Sequence, residues 1–106
     1  MADLTAFFGD GEHAFRLTKP MIAELETKCG PIGALCNRMF SRNFAQADIN
    51  ETIRLALIGA DTTPKRAAEL IAAYVDGRPL IETYELAAKI LERALFGNPH
   101  ETTTNG

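Results

Sequence analysis

The sequence predicts a mainly α domain with a short N-terminal β-hairpin (α+β), built as a compact bundle of about five helices. Three observations lead there. Gly9-Asp10-Gly11 separates two short, partly apolar runs near the start. From Thr18 onward apolar residues recur at i, i+3, i+4 and i+7, the helical period. Glycines at 30, 59, 77 and 97 and prolines at 20, 31, 64 and 79 cut that pattern into separate segments.

The hairpin comes first, at about residues 4–17. Leu4–Phe8 and Glu12–Leu17 flank the turn residues, and Asp10-Gly11 is the pair expected to supply positive φ angles. Phe15 and Leu17 share one face of the second strand. A lone hairpin is marginal in water, so this one must pack on helices or gain another strand. Its unpaired edges also invite strand addition by a partner chain.

The first helix opens at Thr18, a plausible N-cap, with Pro20 in its first turn. Met21, Ile22, Leu25 and Cys29 form its stripe, and Gly30 ends it. Pro31 opens the second helix, where Ile32, Leu35, Cys36, Met39 and Phe40 complete the helical template. Arg42–Ala47 breaks the period and reads as a loop. Asp48 and Glu51 make an acidic variant of a capping box for the third helix. There Ile49, Ile53, Ala56 and Leu57 share a face, Leu55 and Ile58 point elsewhere, and Gly59 is the expected stop. Thr63 caps the fourth helix, Pro64 takes its first position, and Ala67, Leu70, Ile71, Tyr74 and Val75 repeat the template. Gly77 follows as its stop. Pro79 opens the fifth helix, which runs to about Phe96. The segment 98–106 is polar and threonine-rich and is expected to be a disordered tail. The organisation is therefore one domain over 1–97 followed by that tail.

Composition narrows the function classes. The chain has 106 residues, 46% hydrophobic and 24% charged, with net charge −3. That length suits a single domain able to bury roughly two-thirds of its unfolded surface, with no need of a metal or disulfide. A mildly acidic balance supplies no global field for nucleic acid. No apolar run nears the ~20 residues of a membrane span. Met1-Ala2-Asp3 lacks the basic start of a signal peptide. Cys29 and Cys36 match no redox or zinc spacing and read as buried free thiols in a reducing compartment.

The catalytic search returns none. His13 and His100 are the only histidines, and no nucleophile signature lies near either. Ser41 is the only serine and has no G-x-S-x-G around it. Gly9-Asp10-Gly11 lacks the Gly-Lys-Ser/Thr of a phosphate loop. No His/Cys/Asp cluster has metal spacing, so neither metal nor cofactor is expected. The third and fourth helices around Gly59–Thr62 invite comparison with a helix-turn-helix. Beyond Lys65 and Arg66, however, the fourth helix is core-like rather than polar.

Two segments suggest contact surfaces. In the fifth helix Leu80, Tyr84, Ala87, Ala88, Leu91 and Leu95 form the core-facing stripe, with Leu86, Ile90 and Ala94 on one flank and Ile81 on the other. The apolar arc is roughly 220° wide, against a little over 100° for an ordinary surface helix. Either this helix is central and packs on two neighbours, or Leu86 and Ile90 belong to a surface for a subunit or partner. The loop after the second helix offers Phe40 and Phe44 beside Arg42, the residue types of interface anchors. Phe44 could equally tuck back to anchor its own loop.

Several stretches resemble a known family. They include Gly11-Glu12-His13-Ala14-Phe15-Arg16-Leu17-Thr18, Ile22-Ala23-Glu24-Leu25-Glu26 with Gly30, and Gly33-Ala34-Leu35. The second half adds Ile53-Arg54-Leu55-Ala56-Leu57-Ile58-Gly59-Ala60, Ala67-Ala68-Glu69-Leu70, Tyr74-Val75-Asp76-Gly77-Arg78-Pro79-Leu80 and Ala87-Ala88-Lys89-Ile90-Leu91. Together, over about residues 9–97, they look like the gene-transfer-agent tail proteins encoded among phage and prophage tail genes of alphaproteobacteria. Members are described as tail tube proteins or as tail assembly chaperones. Tube subunits are β-rich and close rings through their sheets, whereas a small helical domain is similar to the chaperones. The resemblance thus implies a cytoplasmic chaperone, in the bacterial host during tail assembly. It would bind the tape measure protein transiently and recruit tail tube proteins. It implies no enzyme, no nucleic acid and no membrane, and allows a homo-oligomer. The expected partner-binding residues are Phe40, Phe44, Leu86 and Ile90. The competing expectations are a structural tail protein retained in the particle and a small helical regulator binding DNA or protein.

Overall fold

The chain runs β1 (Leu4–Phe8), β2 (Gly11–Phe15), α1 (Lys19–Cys29), α2 (Ile32–Phe40), α3 (Gln46–Gly59), α4 (Pro64–Tyr74) and α5 (Leu80–Phe96) in a computed structural model that describes residues 4–97. The expectations for Met1-Ala2-Asp3 and for the tail 98–106 lie outside the described residues.

The ribbon is antiparallel, with Phe8 opposite Gly11 and Leu4 opposite Phe15. Its two-residue turn is therefore Gly9-Asp10, one position earlier than expected. Gly9 alone has positive φ there (67°), as in a turn of the II′ kind. A side chain at Gly9 would also collide with the Tyr74 ring, since a Cβ would overlap its Cδ2 and Cγ. Close approach to α4 therefore reinforces the choice of glycine. Phe8 meets Phe15, Tyr74 and His13 edge-on at centroid separations of 6.0, 6.1 and 6.1 Å. Phe8 and Phe15 are buried, which holds a ribbon that could not stand alone.

Two of the helix starts follow the sequence closely. The Thr18 hydroxyl accepts the Met21 N–H at 3.4 Å, and the Thr63 hydroxyl accepts the Arg66 N–H at 3.2 Å. The third helix differs. It begins at Gln46 with Ala45 as N-cap, three residues earlier than the capping-box reading placed it. Alanine carries no side-chain acceptor, so only the return half of a box exists: Asp48 at N3 accepts the Ala45 N–H at 2.8 Å. Glu51 instead pairs with Arg54 at 2.6 Å.

The central helix is α3. Ile49, Thr52, Ile53, Leu55, Ala56 and Leu57 are all buried, because α1, α4, α5 and β2 surround it. Leu55 therefore also faces protein, and the helix has no single stripe. Gly59 is its last residue rather than a positive-φ stop; the turn that follows takes its positive φ at Asp61 (78°). What Gly59 provides is room. The Arg16 carbonyl lies where a Cβ would be, and the Arg16 N–H donates to Ala56 O at 2.9 Å.

The core joins Phe8 and Phe15 of the ribbon to Leu25, Leu35, Met39, Leu70, Leu91 and the α3 residues. One polar atom sits badly in it. Thr52 is fully buried, and its hydroxyl finds no hydrogen-bond partner. Thr52→Val keeps the shape and removes that burden, so we expect a gain of about 1 kcal/mol, read as a higher urea midpoint.

Candidate interaction surface

The helix α5 is amphipathic in a different orientation from the one its apolar arc suggested. Thr83, Tyr84, Ala87, Ile90 and Leu91 are buried, while Leu80, Ile81, Leu95 and Phe96 are exposed. At 100° per residue the buried sector spans about 120°. The rotation has a packing cause. The helix lies against α3, with β1 and α2 also touching it, and the ribbon covers the Leu86/Ile90 flank. The opposite flank stays open, with Ile81 61% and Phe96 60% exposed.

The four expected partner-binding residues therefore fall in different surroundings. Ile90 is 3% exposed and belongs to the core, so it offers no free surface. Leu86 is half-buried and packs on the core beside the ribbon tip, near Phe8 and Tyr74. Phe44 tucks back: its ring stacks on Tyr84 with centroids 4.9 Å apart and planes 24° from parallel. The Arg42 guanidinium stands 5.8 Å from the same ring centroid, and Arg42 takes a positive φ of 62° in the connecting turn. Tyr84 itself donates its hydroxyl to Met39 O at 2.8 Å. That phenol fastens α5 to the end of α2 and forms the base on which the loop settles. Phe40 alone of the four is exposed, at 42%, beside a shallow groove with Tyr84, Ala88 and Glu92.

The charged groups near α3 are structural. Arg38 Nη2 donates to Asp48 Oδ1 at 3.1 Å and to Cys29 O at 2.9 Å, joining the end of α1 to the start of α3. Burial pushes the Cys29 thiol up to about 11, and the neighbouring Asp48 carboxylate adds to the effect. The fold therefore favours the neutral thiol, and its contribution to stability is lost as pH rises from the ordinary thiol value toward 11. At pH 8 we expect iodoacetamide to modify native Cys29 about a hundredfold more slowly than a free thiol, with the free-thiol rate restored in urea.

His13 and Arg66 of the fourth helix are likewise engaged. His13 Nε2 lies 2.8 Å from Asp10, and Arg66 Nη2 lies 2.6 Å from the same carboxylate. Among the described residues no group of three His, Cys, Asp or Glu side chains could hold a metal ion. Among them also, no helix is long and apolar enough to cross a membrane.

A family model described as "Phage tail tube protein, GTA-gp10" matches residues 1–97. The chain belongs to that family. The match takes in the ribbon and all five helices, so the whole fold described above is the GTA-gp10 fold in this member. No curated protein and no solved structure matches the chain. This GTA-gp10 member is thus a phage-like tail protein of gene-transfer-agent type.

A second GTA-gp10 surface lies where the ribbon's open end meets α1 and α5, and the sequence reading did not find it. A cleft of about 390 Å³ has Phe15, Leu17, Ile22 and Ile90 among its lining, with Arg16, Lys19 and Arg93 around it. One sign of it was legible in the sequence: Lys19 stands at the first position of a helix, where acidic residues are favoured. The remainder is not local, since it requires residues 4, 19 and 93 to meet.

Proposed function

We propose that this protein is a structural component of a phage-like tail, kept in the particle by contacts with other tail proteins. The observation that carries this is the family match over residues 1–97 to a tail tube description. The exposed side of α5, with Ile81, Leu95 and Phe96, supports it as surface that assembly would cover. The work is contact and not chemistry, with no cofactor and no nucleic acid involved; the chain's partners are other tail subunits, further copies of itself included.

One observation favours a second reading. The described residues hold two five-residue strands in a single ribbon, far less sheet than a β-rich ring would use. An assembly chaperone in the host cytoplasm, holding the tape measure protein and delivering tube subunits, would need only helical faces. Quantitative mass spectrometry of purified particles separates the two. A structural subunit is expected in fixed ratio to the other tail proteins. Strong depletion from particles, with abundance in the producing cells, would overturn the structural reading in favour of the chaperone.

A further inference from the structure

The cleft between the ribbon's open end, the start of α1 and the end of α5 has an unusual charge for this chain. Overall, 14 acidic residues outnumber 11 basic ones. Yet Arg16, Lys19 and Arg93 line the cleft, and among the described residues no acidic one does. Arg93 lies in the last turn of α5, where a cation suits the helix dipole. Lys19 has no such excuse. It is the first residue of α1, at the positive end of the helix, and no acidic residue stands in that turn. Neither Lys19 nor Arg93 has an ion-pair partner among the described residues. A cation placed against the local helix preference, unpaired and above an apolar floor, breaks a local rule in the way functional sites do.

We propose that this cleft docks an acidic, apolar segment of a partner polypeptide, with its apolar side chains on the half-buried Leu17 and Ile22 and its carboxylates at Lys19 and Arg93. The proposal rests on reading the chain as a tail protein that works by contact with other chains. The two cations stand on different elements of one cleft, α1 and α5. A segment carrying several carboxylates answers both, and the apolar floor supplies the non-directional part of the binding.

The test uses the full purified chain and a fluorescein-labelled peptide of alternating leucine and glutamate, followed by anisotropy. Its counterpart alternates leucine and lysine. The acidic peptide is expected to bind more tightly, and the preference to fade with added salt. Lys19→Glu with Arg93→Glu is expected to weaken the acidic peptide roughly tenfold or more and to strengthen the basic one. Lys19→Glu alone puts an anion at a helix N-terminus, so it is expected to fold at least as well as the parent and to lose part of the preference. Equal binding of both peptides, or a preference that survives the double reversal, would overturn the proposal. Dodecanoate binding where the acidic peptide fails would give the cleft to a small amphiphile instead. Self-association abolished by the reversal, with no peptide binding in the parent, would give it to a second copy. None of these readouts uses assembled particles, so the proposal and the structural-tail reading fail separately.

Discussion

Gly59→Ala is expected to lower stability by about 3 kcal/mol, read as a fall in the urea midpoint at unchanged slope. A Cβ at this position would overlap the Arg16 carbonyl oxygen and stand 3.1 Å from its carbon. These are backbone atoms, and they are tethered: Arg16 N–H donates to Ala56 O at 2.9 Å. Relief requires the end of the ribbon to lift off α3, which loses that bond and loosens the seat of Phe15. Gly33→Ala is the control. Gly33 lies in α2 with nothing within 4 Å of a Cβ, so the same change there is expected to add about 0.5 kcal/mol through helix propensity. Equal effects at the two positions would remove the close approach as the cause.

Asp48→Ala carries the second large effect, a loss of about 3 kcal/mol, because it breaks a buried pair from one side. Asp48 is 3% exposed and accepts from Arg38 and from the Ala45 N–H. Its removal takes the carboxylate from the Arg38 head, which keeps only Cys29 O, and leaves the Ala45 N–H at the N-cap of α3 without its acceptor. Arg38 is one-third exposed, so water relieves part of its charge and holds the cost near the low end for such pairs. The pair also sets a pH dependence. Burial pushes the Asp48 carboxyl up, but the Arg38 hydrogen bonds, the Ala45 N–H and the guanidinium charge outweigh it and leave the carboxyl below its ordinary value. A carboxyl depressed in the folded state stabilises fully above its unfolded pKa, about 4, and that stabilisation fades as pH falls through the lower folded value. The parent is therefore expected to lose stability below about pH 4 more steeply than Asp48→Ala. Parallel acid curves for the two proteins would show that Arg38 does not hold the carboxylate.

Where the chain reads locally, sequence and structure agree. The threonine caps at 18 and 63 form as their side chains allow, and Leu35, Cys36 and Met39 bury the face that their spacing marks. The differences arise where a distant element decides. The hairpin turn moved by one residue because Gly9 must lie on Tyr74, far along the chain. The third helix began early because an alanine can sit at an N-cap when Asp48 supplies the return bond. The fifth helix was legible as a wide apolar arc, but the sequence could not say which flank the ribbon would cover. Ile90 went inside and Ile81 stayed out for that reason. Phe44 was open between two readings until Tyr84 gave its ring a partner. The cationic cleft was the least legible feature, since only Lys19 showed any local anomaly.

The seating of the ribbon has a consequence for synthesis. The ribbon leaves the ribosome early, yet Ala56, which receives the Arg16 N–H at its end, emerges forty positions after Arg16, and Tyr74 sixty-six after Phe8. In the interval Phe8 and Phe15 have no berth. A nascent chain halted short of the fourth helix should light up a hydrophobic dye, and one released past it should go dark.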